Sequence, residues 1–148
     1  MKKNKKQIIG WREWVSLPDL KIPHIKAKID TGARTSALHA FKVNGYVKNG
    51  KKRVKFSVHP YQNNSEIVVE CDAPVTDYRY VTDSGGHKEK RYVIVTTLQA
   101  ADQDWEIEMT LTNRDTMKFR MLLGRTAMAK RLMVDPGKSY RLGKKISD

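Results

Sequence analysis

Asp30-Thr31-Gly32-Ala33 sets a carboxylate, a hydroxyl and a glycine on consecutive residues, directly after the strand-like run Ile25-Lys26-Ala27-Lys28-Ile29. Glycine lets a backbone fold back on itself and brings its N–H close to the Asp oxygens, because no Cβ intervenes. The threonine hydroxyl can lock such a turn by bonding a neighbouring backbone group. Apolar residues ahead of Asp30 would place the carboxylate where its protonation can be tuned. An ordinary β-turn beginning with Asp uses the same residue types. The motif therefore gains weight only from its companions. Far downstream, Met121-Leu122-Leu123-Gly124-Arg125 reads as an apolar strand broken at a glycine that opens a short helix. A glycine that merely caps a helix after a core strand is the simpler reading of that segment.

Other reactive residues form weaker patterns. Ser36 and His39 invite a nucleophile reading, but nothing nearby supplies an oxyanion hole or an orienting acid, so a turn hydroxyl is expected. Gly137-Lys138-Ser139 ends like a phosphate-binding loop, yet Leu132 stands where its first glycine belongs and Pro136 precedes it. ATP is not expected to bind there. His24, His39, His59, His87 and Cys71 are widely spaced, with no His-Glu-x-x-His and no Cys-x-x-Cys, so no metal and no other cofactor is expected.

The elements around these residues read as strands. Ile25, Ala27 and Ile29 alternate with Lys26 and Lys28; Val54, Phe56 and Val58 with Lys55 and Ser57; Trp105, Ile107, Met109 and Leu111 with Glu106, Glu108 and Thr110. Ile67–Cys71 and Tyr92–Leu98 are β-branched runs suited to buried strands. Asn44-Gly45, Asn49-Gly50, Asn63-Asn64-Ser65 and Asp83-Ser84-Gly85-Gly86 supply turns between them. The last of these tips is either a flap over a site or a plain hairpin loop. Only residues 125–131 look helical, with room for two turns at most. Trp11, Trp14 and Trp105 are expected in a core or interface. The prediction is an all-β domain over 8–142, a closed barrel with one short C-terminal helix, between basic tails at 1–7 and 143–148.

Composition narrows the partners. The 148 residues carry 29 Lys+Arg against 16 Asp+Glu, a formal charge of +13. That balance suits acidic peptides, ribosomal protein or RNA, or else reflects solubility and basic ends. One cysteine excludes an internal disulfide, and no apolar run reaches the length of a membrane span. A reducing cytoplasm and no membrane partner are the expectation.

Asp30–Ala40, Leu111–Asp115 and Met121–Arg125, with the opening Ile9-Gly10-Trp11-Arg12-Glu13-Trp14-Val15-Ser16-Leu17-Pro18, resemble a bacterial family labelled "ATP-dependent zinc protease". That family is associated with a ligase that adds glutamates to a ribosomal protein, and it is itself similar to retropepsins. The resemblance spans roughly residues 8 to 142. It implies an acid-protease barrel in which Asp30 is the catalytic carboxylate, Thr31 locks the turn, and Gly32 and Ala33 floor the site. Leu122, Leu123, Gly124 and Arg125 would thread beneath it. Two departures stand out. Arg34 occupies a position where viral enzymes carry an acid, so it faces repulsion from Arg125 unless a carboxylate such as Asp115 intervenes. The 94 residues from Asp30 to Gly124 also leave space for extra hairpins.

Aspartic peptidases use two carboxylates about 3 Å apart that share a proton, and this chain has one Asp-Thr-Gly. The expectation is thus an aspartic endopeptidase acting on a peptide or protein substrate as a homodimer, with Asp30 from each copy. The competing expectation is a non-catalytic basic barrel that binds acidic peptides, ribosomal protein or RNA. A zinc-dependent protease, as the family label states, is the third.

Overall fold

A computed structural model describes residues 6–62, 64–83, 85–113 and 118–143. Eleven strands dominate it: β1 (Gln7–Ile9), β2 (Arg12–Leu17), β3 (Ile22–Asp30), β4 (Ser36–His39), β5 (Phe41–Lys48), β6 (Lys51–Val58), β7 (Val69–Thr82), β8 (Lys88–Ala100), β9 (Gln103–Thr112), β10 (Met121–Gly124) and β11 (Leu132–Val134). One short helix, α1 (Arg125–Met128), follows β10 directly, and a single 3-10 turn spans Pro18–Leu20. The tails expected at 1–7 and 143–148 lie largely outside the described residues, as do Asn63, Ser84 and the proposed intermediary Asp115.

The nine-stranded sheet runs β2-β3-β10-β4-β9-β8-β7-β6-β5, and a bridge between Ser16 and Gln99 joins β2 to β8. Six strands thereby close into a barrel, which removes their free edges, while β7, β6 and β5 continue outward from β8. The expected all-β barrel with one short helix is the observed architecture. Its core packs Leu17, Ile22, Ile25, Leu38, Ile94, Leu98, Met109, Met121 and Leu123, all essentially solvent-free. β1 and β11 form a separate parallel pair.

Several local expectations need correction. Lys26 does not face water: it is buried, donates to Gln62 Oε1 at 2.8 Å and lies 5.3 Å from the Trp14 ring centre. Its aliphatic stem can cover apolar surface while the ammonium finds a polar partner. Asn44-Gly45 is no turn but part of β5, where Tyr92 Oη fills the space a Cβ would need. Ile67 and Val68 are exposed, and the strand begins only at Val69. Asn49-Gly50 does turn the β5–β6 hairpin, both residues at positive φ, as a two-residue loop of the primed type requires. Helix α1 is shorter than the run at 125–131 suggests, ending where Ala129 leaves helical geometry.

On the long β7–β8 hairpin, pairing shifts between Val75 and Asp77, so Thr76 is an extra residue in the ladder. Its hydroxyl donates to the Val93 carbonyl at 3.0 Å. This is a β-bulge.

Cys71 sits in β7 against the core, and burial pushes its thiol up to about 12 from an ordinary 9.0. Thiolate is the reactive form. We expect no labelling of the native chain by thiol reagents near pH 8, and complete labelling in denaturant. Because the folded value lies above the unfolded one, the stability this group contributes is intact below pH 9 and declines as pH rises toward 12. Rapid stoichiometric labelling of native protein would refute this account.

Candidate active-site cleft

Asp30 ends β3, and the chain then turns so that Asp30 Oδ1 accepts N–H bonds from Gly32 at 3.1 Å and Ala33 at 3.2 Å. Gly32 has little room to spare, since a Cβ there would lie 3.3 Å from that same oxygen. Asp30 is half-buried, and no described residue bonds its Oδ2. Thr31 is exposed and its hydroxyl bonds nothing among the described residues, so the turn is held by other groups.

Those groups come from β10 and α1. β10 lies between β3 and β4, parallel to the first and antiparallel to the second, with Gly124 opposite Asp30. Gly124 N–H donates to Ser36 Oγ at 3.0 Å, Arg125 N–H to the Ala33 carbonyl at 2.8 Å, and Thr126 N–H and Oγ1 to the Arg34 carbonyl. The Arg125 guanidinium reaches the Gly32 carbonyl at 3.1 Å. Leu122, Leu123, Gly124 and Arg125 thus thread beneath the turn. Ser36 is wholly buried with its hydroxyl committed to Gly124, and His39 is buried three residues along the same strand. The pair is part of the scaffold.

The turn opens into a cleft of about 680 Å³, within the usual size of ligand sites. One wall is Asp30, Gly32, Ala33 and Arg34; the other is the end of the β7–β8 hairpin, from Arg79 through Asp83, with Arg91; Thr110 and Thr112 lie between. The 83–87 tip is therefore attached to a hairpin that overhangs the turn, although Ser84 itself is outside the described residues. Three guanidiniums, Arg34, Arg79 and Arg91, border one cavity.

Their settings differ. Arg34 is exposed. Arg79 bridges Asp77 at 3.0 Å and Glu108 at 3.3 Å. Asp77 is held below the usual carboxylate range chiefly by the Tyr78 N–H and then by Arg79. Arg91 is buried, donating to Glu89 at 2.6 Å and to Thr110 Oγ1 at 3.3 Å, and Thr110 in turn donates to the Ser36 carbonyl at 3.2 Å. That chain of bonds ties the overhanging hairpin to β4, the strand that follows the Asp30 turn. Asp83 also borders the cleft, its Oδ1 accepting the Gly85 and His87 N–H groups.

No three His, Cys, Asp or Glu side chains among the described residues lie close enough to share a metal ion. The described residues thus assemble no donor set of the kind the zinc of the family label would need. Gly137-Lys138-Ser139 forms no phosphate cradle: the Lys138 carbonyl accepts from Trp11 N–H, and Ser139 Oγ from Arg12 Nε at 3.3 Å.

A family model described as "RimB-like: Retropepsin-like aspartic endopeptidase RimB" matches residues 8–145. The chain belongs to that family. RimB-like proteins are described as enzymes, and the retropepsin-like part of the resemblance holds; the ATP-dependent zinc protease label finds no counterpart in these matches. A crystal structure of a Legionella pneumophila protein of unknown function has the same fold, with a TM-score of 0.77 and 25% identity over 94% of this chain and 100% of that one. Curated relatives from Shewanella pealeana and Desulfotalea psychrophila are 47% and 48% identical over 95% and 93% of this chain, and both are named "Probable alpha-L-glutamate ligase". The chain spans about a third of their length, 31% and 30%.

Those names correct the expectation of a homodimeric peptidase hydrolysing peptide bonds through Asp30, and of its zinc-dependent variant. Relatives matching nearly the whole chain are named for ligation.

Arg79 and Arg91 escape sequence reasoning because a lone Arg in a strand reads as a wet position. The usable signal is Arg91 itself, which shares strand parity with the buried Val93 and so points a charge inward.

Proposed function

We propose that this RimB-like chain serves glutamate ligation by holding an acidic peptide, a run of glutamates, in the cleft above Asp30. The observation that carries the reading is the convergence of Arg34, Arg79 and Arg91 on one cavity with the Thr110 and Thr112 hydroxyls. Guanidiniums pair with carboxylates in a fixed, often two-pronged geometry. Walls from two separate elements leave a channel in which an extended chain can lie. The relatives' ligase name supplies the substrate chemistry, and glutamyl chains are the anionic ligand that name implies. Within this reading Asp30 orients the peptide, its Oδ2 accepting a backbone N–H of the ligand. We place this work in the cytoplasm, where a free thiol such as Cys71 stays reduced; no helix among the described residues is long and apolar enough to cross a membrane.

Titration of hexaglutamate into the purified chain tests the proposal. Saturable binding that weakens with salt is expected, and Arg34→Ala or Arg79→Ala should weaken it roughly tenfold, the scale of one charge-assisted contact. Absence of binding at low salt, or equal affinity for a neutral peptide, rejects it. The aspartic-endopeptidase type is decided in the same samples by chain length: intact hexaglutamate leaves a holding site. Shortening that stops with Asp30→Asn would make Asp30 a hydrolytic residue.

A further inference from the structure

While Arg79 and Arg91 border the cleft, Tyr78, Tyr80, Lys88, Lys90 and Tyr92 occupy the alternate positions of the same hairpin, in the register Tyr78 to Tyr92 and Tyr80 to Lys90. Successive side chains of a strand point to opposite faces, so these five share a face distinct from that of the arginines. The face is ordered. Tyr78 stacks on Tyr92 with ring centres 4.4 Å apart, and Gly45 leaves the space that Tyr92 Oη enters. Lys90 Nζ sits 4.6 Å from the centre of the Tyr78 ring. Tyr80 is 65% exposed, with the Lys90 and Lys88 ammoniums over its ring at 5.7 and 5.9 Å from the centre.

A flat exposed aromatic flanked by cations, on a chain of formal charge +13, suits a partner that offers both π-faces and anions. An acidic peptide would use the lysines and leave the Tyr80 ring bare. A single nucleic-acid strand uses both, its bases stacking and its phosphates pairing with ammoniums. We propose that this outer face of the β7–β8 hairpin binds single-stranded RNA, one base stacking on Tyr80 and adjacent phosphates meeting Lys88 and Lys90. The phenol hydroxyls of Tyr78 and Tyr80, on residues 47% and 65% exposed, can bond 2′-hydroxyls, which favours RNA over DNA. Tyr80 also reaches the rim of the cleft, so the two sites must be separated by competition.

The test is fluorescence anisotropy of labelled dodecauridine with the full chain. Binding should weaken as salt rises. Tyr80→Ala and Tyr80→Leu should each weaken it roughly 5- to 150-fold, the range for one base–aromatic stack, while Tyr80→Phe should retain most of it. The leucine variant keeps apolar bulk, so circular dichroism with it separates lost stacking from lost folding. Replacing Lys88 and Lys90 together by alanine should reduce the salt slope by about 1.4, two phosphates' worth on a single strand. Dodecathymidine should bind more weakly. No binding at low salt, or unchanged affinity in a folded Tyr80→Leu, overturns the proposal. So does equal binding of the DNA strand, or displacement of the RNA by hexaglutamate.

Discussion

Replacing Glu13 by alanine is expected to cost about 3 kcal/mol or more of folding stability. Glu13 lies in β2 and is 1% exposed, yet it forms no salt bridge among the described residues. Its carboxylate instead accepts three backbone N–H groups: Gly10 at 2.6 Å and Arg141 at 2.8 Å on Oε2, and Leu142 at 3.0 Å on Oε1. A donor left unsatisfied in a buried setting costs roughly 1–3 kcal/mol; alanine strands the buried Gly10 donor and takes a charged acceptor from the part-buried Arg141 and Leu142 donors. Arg12 strengthens the same junction, its guanidinium lying 4.6 Å from the Trp11 ring centre and 4.8 Å from that of Tyr140. At about 2–4 °C per kcal/mol for a chain near this size, the melting temperature should fall by roughly 6–12 °C. Glu13→Gln keeps one acceptor oxygen and should fall between the two. A Glu13→Ala variant that melts within about 2 °C of the parent would show that water replaces the carboxylate at little cost.

Gly124→Ala is expected to be nearly as damaging, for a steric reason. A Cβ built at Gly124 lies 2.6 Å from the Thr35 carbonyl carbon and 2.9 Å from the Ser36 nitrogen. Both are backbone atoms of the segment that carries the Asp30 turn onward, so no rotamer change relieves the clash. Overpacking of this kind costs about 1–3 kcal/mol, and here the displaced backbone also loosens the bond from Gly124 N–H to Ser36. Reduced melting temperature and weakened hexaglutamate binding should therefore appear together. Gly32→Ala, facing a 3.3 Å contact to a side-chain oxygen, should be milder on stability. Equal melting of Gly124→Ala and parent would mean that β10 can shift freely under the turn.

The strand class and the Asp30 turn were legible because both are local. Alternation at Val54–Val58 and Trp105–Leu111 needs only neighbours in sequence, and the bonds from Gly32 and Ala33 to Asp30 span three residues at most. The seat of Leu122–Gly124 beneath that turn was also readable, because the apolar pair and its glycine form a recognisable unit. What failed depended on distant partners. Gly45 reads as a turn until Tyr92, 47 positions away, is seen to need its space. Lys26 reads as wet until Trp14 and Gln62 cover it. Two of the cleft's arginines were missed for the same reason: Arg79 and Arg91 oppose each other only through the register of a long hairpin, which periodicity alone does not set.

The Thr76 bulge has a further consequence for the overhanging hairpin. On either side of it the ladder is in step, Val75 opposite Ile94 before it and Asp77 opposite Val93 after it. Removing the extra residue would leave Arg79 and Tyr80 on the faces they now hold, since it restores a regular ladder rather than shifting one. What it would change is direction, because a bulge bends and twists the strand that carries it. Thr76 thus works as an elbow: the residues beyond it decide what the hairpin touches, and the elbow decides where the hairpin reaches. Relatives could retune the clearance over Asp30 by gaining or losing one residue here, with every contact chemistry left unchanged.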